Sequence, residues 1–181
     1  SDCLVGSEMC IRDRRNIITT LIYLTRNFAC RIIVKEVDKE SVYLRDVQPL
    51  LEQALEPEMM NCITHIFEES DEFTFHRTKI LNDMLWMVKT PVVCNYDSDI
   101  ILPVDSYINA TNMILKGWVH PDAEGGQPVK VVYPYGLGEY QYQCHIADEH
   151  ATAFINSGFN FESFNGRCLL YTSDAADDDH C

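Results

Sequence analysis

The feature that most constrains this chain is a regular alternation between short β-branched runs and longer stretches with helical spacing of apolar residues. Residues 16–29 set Ile17, Leu21, Leu24 and Phe28 on one stripe, with Ile18, Ile22 and Thr25 beside it, which predicts an amphipathic helix. Residues 30–37 (C-R-I-I-V-K-E-V) are short and β-branched, the pattern of a buried strand, and end in the acidic Glu36 and Asp38. Residues 46–55 form a weaker helical or loop segment around Pro49. A second strand is expected at 62–67, followed by an acidic turn at 68–72. From 75 to 89 Leu81, Met84, Leu85 and Val88 follow helical spacing, and Pro91 marks where that helix cannot continue. A third strand at 92–96 runs into Asp97-Ser98-Asp99, and a further helix covers about 104–115. Beyond it a polar, Gly-rich loop (117–127), a strand (129–133), a loop (136–142) and a helix (147–155) are expected. Strands alternating with helices imply an α/β fold: a mostly parallel sheet with helices on both faces.

Composition narrows what such a fold can serve. With 14 Lys and Arg against 28 Asp and Glu, the 181-residue chain carries −14, which argues against a nucleic-acid backbone binder. No run of 18 apolar residues occurs, so no membrane-spanning helix is expected. The two ends resemble translated sequencing-adapter DNA: L-V-G-S-E-M-C-I-R-D at 4–13 and C-L-L-Y-T-S-D-A-A-D at 168–177. Segments of that kind are set aside in fold reasoning. The expectation is then an artefactual 1–14, a partial α/β domain over 15–167, and an artefactual 168–181, with both ends removable at little loss of stability. Residues 15–167 keep 12 basic and 21 acidic residues, a net −9. Of eight cysteines only Cys30, Cys62, Cys94 and Cys144 lie inside that region, too far apart for a zinc or redox pair. Reduced thiols fit a reducing compartment, so a cytoplasmic location is expected, with association at a membrane surface left open.

The chemistry centres on Asp97 and Asp99. They follow an apolar strand, and in an open α/β sheet ligands bind beyond the carboxyl ends of the strands. In extended chain the two carboxylates point to the same side. Paired hard oxygen donors suit Mg²⁺ or Mn²⁺ bridging a diphosphate. A D-x-D tripeptide also occurs as an ordinary turn or helix cap, so its surroundings matter.

Those surroundings are Phe75-His76-Arg77-Thr78-Lys79-Ile80-Leu81-Asn82, one helix ahead of the acidic pair. The order F-x-R-x-K-x-L-N, helix, apolar strand, D-x-D, apolar residues and Pro resembles the donor-binding half of GT-A-fold glycosyltransferases. The nearest group is family 2, of the β-1,4-galactosyltransferase-like and capsule-type kind. The resemblance implies a GT-A, Rossmann-like fold. It implies that Phe75 and Arg77 line the nucleotide site and that Asn82 holds the helix against it. It further implies that Asp99 binds the metal, that Asp97 contacts the nucleotide and shares the metal site, and that Glu36 or Asp38 meets the base or ribose. The implied cofactor is Mn²⁺ or Mg²⁺, and the implied partners are a nucleotide-sugar donor such as a UDP-sugar and a glycan acceptor. The activity expected is inverting transfer of a sugar to an acceptor hydroxyl in polysaccharide or glycan synthesis.

The resemblance spans about 15–165 in order and is specific over 75–103. The family's first strand, expected before Arg15, and its carboxylate general base, expected beyond Arg167, are not found in the sequence. The substitutes for that base would be Asp148 and Glu149 in the last helix. Other roles remain open at each position: Arg77 pairing with the acidic turn at 68–72, Phe75 packing in the core, Asn82 facing solvent. His65 and His76 read as ordinary core or surface histidines. The aromatic loops at 133–136 and 140–142 either face a sugar or pack on the sheet edge. Alternatives of function are a non-catalytic nucleotide-sugar or carbohydrate-binding module on the same fold, and a D-x-D phosphotransferase. The last wants its acidic pair on an early strand.

Overall fold

The structure, a computed structural model, describes residues 2–7, 11–71, 76–98, 100–121, 124–134 and 148–160. The chain runs β1 (Asp2–Ser7), α1 (Ile11–Asn27), β2 (Arg31–Asp38), a π-helical turn (Tyr43–Val47) leading into α2 (Gln48–Ala54), then α3 (Pro57–Met60) and β3 (Ile63–Glu69). It continues through α4 (Arg77–Leu85), β4 (Val93–Asn95), α5 (Val104–Leu115) and α6 (Asp148–Asn156). The four strands form one sheet in the order β3-β2-β1-β4, and all three pairings are parallel. The α/β class expected from the alternation is therefore what the chain adopts.

The sheet's two faces are legible along β2. Alternate residues of a strand point to opposite faces, and Ile32 and Val34 join the larger core whereas Ile33 joins the smaller. The larger core packs α1 (Ile17, Leu21, Leu24) against the sheet together with Tyr43, Val47, Leu51 and, from α6, Phe154. The smaller core packs Ile80 and Met84 of α4 against Ile33, with Ile66 and Val37 at its margin. Lys35 lies on that second face and is 5% exposed. Its Nζ meets Asp83 of α4 and Glu68 of β3, each at 2.7 Å. Burial opposes its charge, but the hydrogen bonds to Asp83 and Glu68 outweigh that and raise its pKa. One lysine thus pins a helix and two strands.

Three expectations are corrected. Residues 2–7, set aside with 1–14, form a strand between β2 and β4, pairing six residues with the first and three with the second. A first strand does precede Arg15. Without it, the facing backbone groups of β2 and β4 would lack partners, and an extended C-L-V run is a sufficient filler. The strand expected at 129–133 does not form. Pro128 makes an isolated antiparallel bridge to Val119, and Val131 and Tyr133 are 73% and 71% exposed with no strand beside them among the described residues. The helix expected over 75–89 is shorter, ending at Leu85. Met87 and Val88 turn back onto Met84 and Leu85 in three-residue steps before Pro91.

The helix at 104–115 has the expected bounds, because Pro103 precedes it and Gly117 closes it at φ +63°. There Gly117 N–H bonds Ile114 O and Trp118 N–H bonds Met113 O, an αL stop that a Cβ would strain.

Candidate functional site

The turn after β4 is held from two sides by hydroxyl groups. Thr20 Oγ1 of α1 donates to the Ser98 carbonyl at 2.7 Å, and the buried Tyr23 hydroxyl donates to the Leu102 carbonyl at 2.5 Å. Burial, then the nearby Tyr107, pushes the Tyr23 pKa well above its ordinary value, so it stays a neutral donor. From α5, Tyr107 receives the Leu102 N–H at 3.1 Å and shares a 2.8 Å hydrogen bond with the Tyr96 hydroxyl. Ile100, Ile101 and Leu102 are buried beneath. The result is a fixed platform for Asp97.

Asp97 meets Arg77, the first residue of α4, through Oδ1 and Nη2. Both side chains are about half-exposed. Pairs of that kind contribute only about 0.2–1 kcal/mol, too little to matter for the fold but enough to set the direction of both groups. In the acidic turn, the other partner open to Arg77, Glu68 takes Lys35 and Lys79, and Asp71 pairs with Lys39. Arg77, Asn82 and Asp97 together line a cleft of about 860 Å³ beside β4. Its walls come from α4, α5, the end of α1 and residues 130–134, and most of them are apolar. Asn82 is exposed on this wall.

Phe75 and Asp99 lie outside the described residues, as do the loops at 136–142 and the region past 160. Asp148 and Glu149 open α6, as the helical expectation at 147–155 had them.

Glu36 and Asp38 are not among the residues lining the cleft. Glu36 is 1% exposed, and both its oxygens are taken. Oε1 receives the N–H groups of Val42 and Tyr43 at 2.8 and 3.0 Å; Oε2 receives Ser41 Oγ at 2.6 Å and lies 3.0 Å from His65 Nε2. The carboxylate caps the start of the π-helical turn, where free N–H groups need an acceptor. Burial opposes its charge, but the bonds from His65, Ser41 and the two amides prevail and lower its pKa. His65 in turn stacks on Tyr43, rings 4.1 Å apart. Burial, then Glu52 and Glu36, pushes the Tyr43 hydroxyl up to about 12. Asp38 Oδ1 accepts the Lys39 N–H at 2.6 Å. The acid at the end of β2 is thus a structural cap in this fold, a role that sequence order could not separate from ribose binding.

Among the described residues no three His, Cys, Asp or Glu side chains converge as metal ligands. Asp97 is the one described carboxylate on the cleft wall, with Oδ1 bonded to Arg77. Mg²⁺ is usually held by one or two carboxylates together with water and substrate phosphates, and of such carboxylates the described cleft offers Asp97. No described helix is long and apolar enough to cross a membrane.

No protein-family model matches this chain, and no curated protein and no solved structure matches it either.

Proposed function

We propose that this chain is the donor-binding part of a GT-A-type, metal-dependent inverting glycosyltransferase, and that the cleft beside β4 receives the diphosphate of a nucleotide-sugar. The observation that carries the reading is the meeting of Arg77 and Asp97 on the cleft wall, from an F-x-R-x-K-x-L-N segment and a D-x-D turn that are 20 residues apart. Asn82 on the same wall supports it.

In this reading Arg77 leaves part of its guanidinium fork for a phosphate oxygen while one nitrogen orients Asp97. Asp97 and Asp99 would hold Mn²⁺ or Mg²⁺, which when bound supplies Lewis-acid neutralisation of the diphosphate leaving group. The platform made by Thr20, Tyr23 and Tyr107 keeps the Asp97 carboxylate in place, so little reordering is needed on binding.

Calorimetry with UDP in the presence of Mn²⁺ tests this. Asp99→Ala should abolish Mn²⁺-dependent binding and Asp97→Ala should weaken it, with the melting temperature of Asp97→Ala changed little because an exposed pair contributes under about 1 kcal/mol. Unchanged UDP and Mn²⁺ affinity in both variants would sink the assignment.

One observation favours a second reading, a nucleotide-sugar-binding module without turnover. Among the described cleft residues Asp97 is the only carboxylate and no histidine is present, so the groups that most often act as general base are not supplied there beside Asp97. Radiolabelled sugar transfer by the purified chain separates the two: transfer above background identifies the enzyme, binding without transfer the module.

A further inference from the structure

The cleft holds one charged residue that neither the D-x-D turn nor the F-x-R segment accounts for. Lys130 lies in the 130–134 segment, remote in sequence from Arg77 and Asp97 but lining the same cavity. Nearly every other lysine and arginine of the core region is engaged: Lys35 with Glu68 and Asp83, Lys79 with Glu68, Arg45 with Asp46, Arg77 with Asp97. Lys130 has no hydrogen bond or ion pair with any described residue. Its neighbours in the wall, Val131, Val132, Tyr133 and Pro134, carry no carboxylate.

The charge balance gives this lysine its meaning. The described residues lining the cleft carry two cations, Arg77 and Lys130, against one anion, Asp97. Arg77 is already neutralised by Asp97, so the uncompensated positive charge of the cavity is that of Lys130. In a chain of net −14 such a site stands out, because the summed field would otherwise repel an anionic ligand. An ammonium group on a flexible stem with three donors is a point-charge phosphate binder.

We propose that Lys130 is an anion-binding residue of the cleft, contacting a phosphate oxygen of the bound ligand from the 130–134 segment. The inference rests on the nucleotide-sugar reading for the identity of the ligand, but the anion site itself does not. A phosphorylated ligand would then be gripped from two elements, α4 and the 130–134 segment.

The test is calorimetric titration of the full chain with UDP, uridine and inorganic pyrophosphate, comparing wild type with Lys130→Gln and Lys130→Arg. Loss of one charge-assisted contact should weaken UDP and pyrophosphate about tenfold or more in Lys130→Gln. Lys130→Arg should retain most of the affinity, and uridine, which has no phosphate, should not respond to either change. The wild-type advantage over Lys130→Gln should also shrink as salt is raised. If Lys130→Gln binds UDP as tightly as wild type while Asp97→Ala is weakened, the inference falls and the nucleotide-sugar reading stands. If pyrophosphate binds in a Lys130-dependent way but UDP does not bind, the anion site stands and the nucleotide reading falls. If wild type binds neither, both fall.

Discussion

Glu36 shows how one side chain can be mistaken for a ligand when its surroundings are unseen. It is an acid at the carboxyl end of a parallel strand, where ligand-binding acids belong, yet four donors from Ser41, Val42, Tyr43 and His65 consume it. Its removal should therefore be felt in stability rather than in binding. Glu36→Ala leaves buried amide donors without an acceptor and should destabilise by about 3 kcal/mol, since each such group is worth about 1–3 kcal/mol. Glu36→Gln, which keeps the shape and an acceptor, should lose less. The pH dependence has a definite sign. The folded-state pKa lies below the ordinary value of 4.5, so the unfolded chain takes up the proton first. The stabilisation from Glu36 is complete above that value and is lost as pH falls through the folded pKa. Chemical denaturation between neutral pH and pH 3 should show wild type losing stability more steeply than Glu36→Gln; parallel curves would refute the capping role.

At the scale of elements, β1 is where sequence and structure part most clearly. Its residues look like adapter-derived peptide, which removed them from consideration, but their backbone lies in the middle of the sheet. A sheet cares about hydrogen-bonding backbone and side-chain type, not about where a segment came from. Because Cys3 is paired with Ile32 of β2 on one side and Cys94 of β4 on the other, Cys3→Pro should be severe: a proline inside a strand with partners on both edges should cost about 3 kcal/mol or more. A melting temperature within a degree of wild type would show that the segment is dispensable, as the sequence alone implied. Elsewhere legibility followed from local chemistry. The bounds of α5 were readable because Pro103 and Gly117 are local stop signals. The missing strand at 129–133 was not, since β-branched residues make a strand only where a neighbouring edge accepts them. Likewise the order Arg77, helix, Asp97 could be read, but their meeting could not, because an acidic turn closer in sequence competed for Arg77. What decided it was Lys35, buried beneath α4 and already holding Glu68.

Across the whole molecule, two unequal cores grip the sheet, and the larger one reaches the cleft through hydroxyl groups on α1. That arrangement ties ligand affinity to a helix that does not contact the ligand with its anchoring side chains. Thr20→Val keeps the volume of a β-branched residue but leaves the Ser98 carbonyl without its donor, and should destabilise by about 1–2 kcal/mol. It should also weaken UDP binding, because Asp97 sits one residue before the released carbonyl. Melting and titration of the same variant check both parts; intact binding despite lower stability would uncouple the platform from the site.

The anchors Thr20 and Tyr23 both grasp backbone carbonyls, those of Ser98 and Leu102. A carbonyl is the same group whatever side chain hangs beside it. The support is therefore blind to the residue at 98, which can be exchanged without disturbing the scaffold that presents Asp97. In a saturation library scored for folding, the half-buried position 98 should accept a wider range of replacements than the buried position 20, where losing the hydroxyl leaves the Ser98 carbonyl without its donor. Position 98 is consequently the natural place to retune what the cleft selects, since new chemistry can be tried there between the two acids while the frame that holds them stays as it is.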